Sequence, residues 1–297
     1  MAPLYCETEG CVFEAVANSR CCWQHTAAKQ DYRAKIMRMV REGHVFDRAN
    51  FARVSFGKVA FAGGHFLRCN FTSTYLKNAD LEGCNLNGST FRRANVAGAN
   101  LSGSNAARVS LEGALCEKTN LAKADFTEAL LTFANLSNAN LRNISLDRAQ
   151  AAHVILDGAN LSGACLTHAN FAFARLRQST AQRVTGSFSI WGGACLQHAN
   201  FQEADLNRAN MVGTDARYAN FEHANLHFTR PGSANFSHAN FRDADLSRAI
   251  MREADLSHAD LREANIQGAV FERARLVGIK PAGLDLSGNN TNGAEFE

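Results

Sequence analysis

Large apolar residues recur at every fifth position along most of the chain, from Phe46 to Leu286, without a shift of register. We call these residues the centres of the repeat. The residue two positions before a centre is usually Ala, the residue just before it is often Asn or Asp, and the two that follow are mostly polar or Gly. A period of five fits neither an α-helix, with about 3.6 residues per turn, nor a strand, whose side chains alternate. The pattern therefore predicts a repeat architecture.

Four such units account for the pattern if they form one square coil of 20 residues. The centre and the small residue two positions earlier would point inward, and the other three residues would point outward. Small Ala residues let neighbouring walls approach closely, and Asn and Asp suit turns at the corners because they hydrogen-bond to nearby backbone. Stacked coils would pair backbone to backbone at about 4.8 Å, so that each coil contacts only its neighbours.

The unit A(N/D)LXX, shown by Ala199–Arg208 with Phe201 and Leu206 at the centres, resembles the repeat of the pentapeptide-repeat family, and the resemblance covers about residues 44–288. It implies an all-β fold, a right-handed quadrilateral β-helix, which here would have about 12 coils. The family includes proteins that bind bacterial DNA gyrase and protect it from quinolones or other topoisomerase poisons. Such a role in antibiotic resistance or self-immunity is one implied function. A scaffold or adaptor that links protein partners is the alternative.

Residues 27–43 are predicted to form a helix that covers the N-terminal mouth of the β-helix. Thr26 suits the N-cap and Gly43 the C′ position. The first six centres after the helix are all Phe, so it is expected to lie over a Phe-rich opening. At the other end, residues 289–297 are predicted to form a flexible polar tail. Gyrase-binding relatives dimerise through a C-terminal apolar segment, which this chain lacks, so the oligomeric state stays open. One face of the predicted helix is apolar: Ala28, Tyr32, Ile36, Met39 and Val40.

The segment 1–26 contains four of the nine cysteines, and it has the spacing of a metal site. Cys6, Cys11, Cys22 and His25 would supply three thiolates and one imidazole, the donor set of a closed tetrahedral zinc site, with Cys21 as an alternative third thiolate. The spacing resembles that of small zinc knuckles. So short a segment has too little core to fold alone, and zinc would supply the missing stability. The alternative is a set of ordinary cysteines without metal.

Residues 20 apart stack into columns, so the sequence also predicts the outer surface. One column is a basic stripe, which faces either an anionic partner or solvent, with neighbouring acids balancing its charge. In the next column Phe133, His153 and Phe173 point outward, which favours a contact patch. The basic stripe contains Arg48, Arg68, Arg108, Arg148, Arg208 and Arg248.

The side with the outward aromatic residues also contains three irregular centres, Ala151, Trp191 and Pro231, around which the consensus lapses. Each lapse is predicted to be a bulge or a small protruding loop. We therefore predict that this side binds the partner. The predicted contact residues are Phe133, His153, Phe173, Phe188, Trp191, Phe228, Arg108, Arg148 and Arg208.

Composition and motifs exclude several classes of protein. The net charge of +3 is small for 297 residues, which argues against a general nucleic-acid binder, although contact through the basic stripe stays open. The chain has no apolar run near the roughly 18 residues of a membrane span, no signal-peptide pattern and no disulfide framework, so we expect a cytoplasmic protein with no membrane contact. It has no phosphate-binding glycine loop and no zinc-protease motif, and a filled β-helix offers no concave pocket. The sequence therefore predicts a protein that is not an enzyme.

Overall fold

A computed structural model describes residues 4–281 and 284–297 of the protein. Parallel bridges join residues 20 apart, and a turn follows nearly every centre of the described residues. Four turns in each 20-residue period give a four-sided parallel β-helix, so the prediction of an all-β solenoid with square coils is confirmed. Two short strands, β1 at Val45–Asp47 and β2 at His65–Leu67, pair in parallel at its N-terminal end. Beyond them the ladder consists of single bridged residues.

The interior is a continuous column of side chains. Centres such as Phe51 and Phe71 are fully buried, and so are the small residues two positions before a centre, such as Ala94. Rings one coil apart lie nearly parallel: the centroids of Phe51 and Phe71 are 5.0 Å apart, and those of Phe71 and Phe91 are 4.5 Å apart. Each centre therefore packs on the centre 20 residues away, which leaves the interior filled.

Most corners have the features of a type II turn. The N–H of Val54 donates to the carbonyl of Phe51 at 3.1 Å, and Arg53, the third residue of that turn, has φ 63°. Positive φ at the third turn residue is a feature of type II turns, and it normally selects Gly or Asn. Other residues pay roughly 1–2 kcal/mol for the left-handed conformation. Most corners of this chain nevertheless carry side chains larger than Gly at that position.

The Asn and Asp residues lie at the bridged position before each centre, not at the corners as expected. There the side chain stabilises the following turn: Oδ1 of Asn50 accepts the N–H of Ala52 at 3.1 Å. The amides also bond along the rod, from Asn140 to Asn120 and from Asn120 to Asn100, each at 2.9 Å. These side chains therefore satisfy both the turn and the neighbouring coil, which explains their frequency better than corner placement does.

Small polar residues replace inward Ala at several positions, and some of them donate to a backbone carbonyl. The Ser89 hydroxyl donates to the Phe66 carbonyl at 2.7 Å, and the Cys84 thiol donates to the Phe61 carbonyl at 2.9 Å. The acceptor in each case is the centre 23 residues earlier, whose carbonyl has a second lone pair free. The prediction that three repeat cysteines point inward is confirmed for Cys69, Cys84 and Cys116, all buried.

The helix α1 runs from Lys29 to Arg41, two residues shorter at its start than predicted. Thr26 does not cap it, because its hydroxyl donates back to the Cys22 carbonyl and closes the preceding turn. Gly43 occupies the C′ position with φ 73°, as predicted, and the N–H of His44 donates to the Met39 carbonyl at 2.9 Å. These contacts form a Schellman motif, which ends the helix and directs the chain into β1.

The N-terminal segment takes the place of a missing coil. The N–H of Ala17 donates to the Asn50 carbonyl at 2.6 Å. In later coils the equivalent carbonyl accepts an N–H from the preceding coil, as the Asn70 carbonyl does from Phe51. The Asn50 amide in turn donates to the Ala15 carbonyl at 3.0 Å. Val16 and Ile36 are buried in the same core cluster as the first Phe centres. Together with α1 the segment therefore packs over the Phe-rich mouth.

The C-terminal residues continue the ladder, so the prediction of a flexible tail at 289–297 is wrong. The N–H of Phe271 donates to the Asn290 carbonyl at 2.7 Å, and the N–H of Glu295 donates to the Ala274 carbonyl at 2.9 Å. The spacing of five persists here, although Thr291 stands at a centre. Backbone pairing therefore continues beyond the last apolar centre, where the predicted β-helix ended.

The irregular centres do not produce bulges at Ala151 or Trp191, and that prediction is wrong. The N–H groups of both residues donate to the next coil, at 2.7 Å and 2.6 Å. At Pro231 the ladder does change, because proline has no N–H to donate. The parallel bridge between positions 230 and 250 is missing there, without an inserted residue.

Replacing Trp191 with Ala should lower the free energy of unfolding by about 3–5 kcal/mol, as for other buried aromatic residues. Trp191 is fully buried, stacks on Phe171 at 4.6 Å and donates from Nε1 to the Ser189 hydroxyl. Denaturant unfolding followed by circular dichroism measures the change. The control is Val212→Ala on the surface, which should cost less than about 0.5 kcal/mol. Equal effects of the two changes would contradict the buried position of Trp191.

Candidate functional site

The four residues predicted as metal ligands converge in the N-terminal segment. Their ligand atoms, three Sγ and one imidazole nitrogen, all lie within 4.8 Å of one another. Nδ1 of His25 is 3.4 Å from Sγ of Cys6 and 3.5 Å from Sγ of Cys22, and Sγ of Cys11 is 3.8 Å from Sγ of Cys22. Cys21, the alternative third ligand, lies outside this group. We call Cys6, Cys11, Cys22 and His25 the Cys/His cluster.

The spacing within the Cys/His cluster fits a tetrahedral metal. Zinc bonds of about 2.3 Å to sulfur and 2.0–2.1 Å to nitrogen require sulfurs about 3.8 Å apart and sulfur–nitrogen separations of about 3.6 Å. The observed distances of 3.8, 3.4 and 3.5 Å agree with these values. The sulfurs of Cys11 and Cys22 are also too far apart for a disulfide bond. The cluster can therefore hold a metal ion.

Local backbone structure positions these ligands. A 3₁₀ helix, Trp23–His25, places His25 one turn after Cys22, with their backbones hydrogen-bonded at 3.1 Å. The N–H of Cys6 donates to the Phe13 carbonyl, which fixes the first ligand. The Thr8 hydroxyl lies 3.4 Å from Sγ of Cys6, and a hydrogen bond from it to the thiolate lowers the pKa of Cys6 to about 5. Cys6 is thus suited to bind as a thiolate.

A second feature lies on the side of the β-helix. The apolar face is the side whose outward bridged positions are 130, 150, 170, 190, 210, 230 and 250, together with the corner residues on either edge. Seven exposed large apolar side chains lie on it, against five elsewhere in the described residues from Val45 onward. Exposed apolar side chains concentrated on one surface are typical of an interaction site. The seven are Leu130, Phe133, Phe173, Phe188, Ile190, Val212 and Ile250.

One edge of the apolar face is formed by the aromatic ladder, Phe133, His153 and Phe173. The rings stack face to face, with centroid distances of 4.9 Å and 5.1 Å. Gly193 follows in the same column, and a Cβ there would lie 2.6 Å from the Phe173 ring. All three aromatic residues have φ near 60°. The predicted outward stack is present, and Phe133 and Phe173 are 65% and 59% exposed.

The opposite edge is formed by the arginine–phenylalanine ladder, Phe188, Arg208, Phe228 and Arg248. The Arg208 guanidinium lies between two rings, 5.5 Å from the Phe188 centroid and 5.2 Å from that of Phe228. Arg248 lies 5.3 Å from the other side of Phe228. Cations over ring faces at these distances are attracted by the aromatic quadrupole, so the ladder fixes its own side chains in place.

The arginines of the basic stripe differ in whether they form ion pairs. In the N-terminal half, Arg68 pairs with Asp47 at 2.6 Å, and Arg108 pairs with Glu128 at 2.7 Å. Arg148 also lies 3.7 Å from an acidic group, that of Asp147. Within the described residues Arg48, Arg208 and Arg248 form no ion pair. The predicted balance by neighbouring acids therefore applies to Arg68, Arg108 and Arg148.

The Pentapeptide repeats family matches in eight copies over residues 110–148, 144–180, 194–227 and 233–268. A Pentapeptide repeat region matches residues 44–121. The chain belongs to the pentapeptide-repeat family.

Solved structures of other pentapeptide-repeat proteins are also similar. HetL, involved in heterocyst differentiation regulation in the cyanobacterium Nostoc sp. strain PCC 7120, is 24% identical over 88% of this chain and 93% of its own, with a TM-score of 0.31. A trypsin-treated form of QnrB1, a plasmid-mediated fluoroquinolone resistance protein, is 19% identical over 68% and 89%, with a TM-score of 0.28. A comparison with curated proteins gives no match.

Trp191 is the one predicted contact residue whose side chain is buried in this pentapeptide-repeat protein. It stands at a centre, and every other large centre of the same side also points inward, so its side chain is fully buried. That part of the prediction is wrong. Sequence reasoning also missed Ile190, Val212, Arg230 and Ile250, although their outward positions in the repeat could have revealed them.

No helix of the described residues has the length and apolar character that crossing a membrane requires.

The repeat cysteines should differ sharply in reactivity at pH 8. Burial raises the pKa of Cys69 and Cys84 to about 12, so almost none of either thiol is ionised at that pH. Cys165 and Cys195 are partly exposed. Iodoacetamide should therefore modify these two in the native protein and leave the buried pair intact until unfolding, as peptide mass spectrometry would measure. Equal labelling of Cys84 and Cys195 in the native state would contradict the packing described.

Proposed function

We propose that this protein is a non-catalytic rod that binds another protein through its apolar face. The observation that supports this most directly is the concentration of seven exposed large apolar side chains on one of four sides. Phe and Arg are also the residue types enriched at protein–protein contacts. Solvent-facing positions of a repeat need no such residues for folding, because the inward column already supplies the core.

The corners make the argument stronger. Phe133 and Phe173 adopt φ of 60° and 58°, a conformation that costs less for Gly or Asn. Stability alone would favour Gly or Asn at these turns, and the neighbouring Gly193 shows that Gly is accommodated in the same column. The aromatic residues thus expose apolar surface at a cost to folding, which is what a binding function explains.

The interior supports the non-catalytic part of the proposal. Inward positions are filled by packed side chains, so reacting groups have no water-excluding cleft in which to converge. Within the described residues, one group of His, Cys, Asp or Glu side chains is arranged to hold a metal, the Cys/His cluster. Four protein ligands would complete a tetrahedral site and leave no position open for substrate.

The partner of such a rod could be a type II topoisomerase, as the family resemblance suggests. The apolar face is cationic at its C-terminal end, opposite in charge to duplex DNA, so mimicry of DNA is not the mode of binding that it supports. A scaffold or adaptor role requires only the face itself and a stable rod. It is therefore the function that we favour.

Changing Phe133 and Phe173 together to Asn should abolish partner binding, because it removes the exposed rings while Asn keeps the left-handed turn. The matched control is Tyr218→Asn, since Tyr218 is also exposed, has φ 59° and stacks between two His rings on another side. Affinity capture from extracts of the source organism, with mass spectrometry, should recover a partner with wild type and control but not with the double variant.

Recovery of the same partner by the double variant, or its loss with Tyr218→Asn as well, would contradict the assignment to the apolar face. Purified gyrase provides the specific test of the topoisomerase candidate. Protection of supercoiling from a fluoroquinolone would support that partner. Unchanged inhibition, together with capture of a different protein, would support the adaptor role.

We also propose that the Cys/His cluster binds one structural zinc ion. Its donor set, its distances and the buried positions of Cys6 and Cys22 support this assignment. Zinc would tie the segment that supplies Ala17 to the first coil, and so would stabilise the N-terminal cap. Thiolate ligands and free repeat cysteines suit a reducing compartment, and we therefore place the protein in the cytoplasm.

Metal analysis of the purified protein should find about one zinc per chain. Cys11→Ser should remove the zinc and lower the unfolding temperature, because the cap loses a cross-link, whereas Cys21→Ser should retain it. A cobalt-loaded sample should show the visible absorption of tetrahedral thiolate coordination. A metal-free protein as stable as the zinc-loaded one, or zinc lost equally from Cys21→Ser, would rule out this site.

A further inference from the structure

Three arginines at the C-terminal half of the apolar face have no acidic partner. Arg208 and Arg248 belong to the arginine–phenylalanine ladder, and Arg230 lies at the bridged position between them. All three side chains are exposed, and within the described part of the chain none forms an ion pair. Arg108, in the same column, shows the contrast, since Glu128 lies 2.7 Å away.

The ladder holds its guanidinium groups ready for a ligand. Arg208 is fixed between Phe188 and Phe228, so less side-chain freedom is lost when a partner binds. Stacking also occupies the faces of the rings and of the guanidinium, so that their edges point to solvent. Guanidinium edges carry N–H donors, and ring edges carry partial positive charge. The exposed rim of the ladder therefore favours hydrogen-bond acceptors with negative charge.

The same region requires apolar groups from its ligand. A shallow groove runs between the arginine–phenylalanine ladder and the bridged positions of the apolar face. Its lining combines Phe188, Phe228 and Ile250 with the three arginines. Ile190 and Val212 are exposed nearby. A ligand that covers this surface must therefore combine carboxylates with apolar side chains, as an acidic polypeptide segment does.

Nucleic acid fits the region less well. Single strands bind by stacking bases on free aromatic faces, and here the faces of Phe188 and Phe228 are occupied by Arg208, Arg248 and His168. Binding through phosphates alone requires many cations, whereas this patch offers three, on a chain with a net charge of +3. Nucleic acid would also leave Ile190, Val212 and Ile250 without apolar contacts.

We infer that Phe188, Arg208, Phe228, Arg230 and Arg248 bind an acidic segment of a partner protein that also carries apolar side chains. This inference rests on the proposed function of the apolar face and specifies the chemistry of its partner. The partner's carboxylates would pair with the three guanidinium groups, while its apolar side chains would cover the groove beside Ile250.

Three labelled peptides of matched length test the inference, each composed of Leu, Gly and one further residue, Glu, Lys or Ser. Fluorescence anisotropy at low salt should show the Glu peptide binding at least about tenfold more tightly than the others, because opposite charges at close range favour it. Added salt should reduce this preference. A single-stranded DNA of similar length serves as the competing ligand.

Changing Arg208 and Arg248 together to Gln should weaken binding of the Glu peptide about tenfold and remove its advantage over the Ser peptide. Gln suits these corners, since Gln178 already has φ 56° at an equivalent position. The matched control is the double change Arg108→Gln and Arg148→Gln, which alters the same column where acids already engage the arginines. It should leave binding unchanged.

Equal binding of the Lys and Glu peptides, or tighter binding of the DNA, would overturn the inference. So would an unchanged affinity of the Arg208 and Arg248 variant, once circular dichroism shows that it is folded. If none of the peptides binds, the inference fails as well. The apolar face is judged separately, by partner recovery with the Phe133 and Phe173 variant, so the two failures are distinguishable.

Discussion

Backbone pairing between residues 20 apart is the constraint on which the rest of the structure depends. Most centres donate their N–H to the next coil, and most bridged residues donate to the coil before, so an inserted residue would break the register of every later wall. The pairing persists where side chains depart from the repeat, at Trp191 and at Thr291. Apolar packing then selects which side chains fill the tube, while the ladder fixes where each side chain points.

The same register organises the exterior. Because equivalent residues lie directly above one another, side chains at the same corner of successive coils are about 4.8 Å apart, within reach of stacking. Phe133, His153 and Phe173 form a ladder for this reason, and so do the arginine and phenylalanine residues around Arg208. Stacking energy offsets part of the left-handed strain at these corners. A β-helix can thus present a rigid aromatic surface that isolated turns could not hold in place.

The fold was readable from the sequence because the period of five admits one arrangement of inward and outward positions, and Phe66 or Cys84 could be placed without coordinates. The metal ligands were also predictable, since Cys22 and His25 are separated by a single turn. Trp191 was misplaced because its departure from the repeat was taken as exposure, although its centre position already implied burial. The charge balance of the arginine column could not be predicted from the sequence. Arg108 and Arg208 have long, flexible side chains, and the repeat spacing does not determine which neighbouring group each one contacts.

The two ends of the rod differ in a way that gives the apolar face a direction. At the N-terminal end, Ala17 and α1 occupy the edge where another strand could pair, which blocks end-to-end association there. In the basic stripe, Asp47 and Glu128 neutralise Arg68 and Arg108, whereas Arg208 and Arg248 form no ion pair among the described residues. A protein that recognises both the aromatic ladder and the free arginines must therefore bind in a single orientation along the rod. Such polarity would be lost if the repeats were uniform, and it follows from departures at a few corners of an otherwise regular coil.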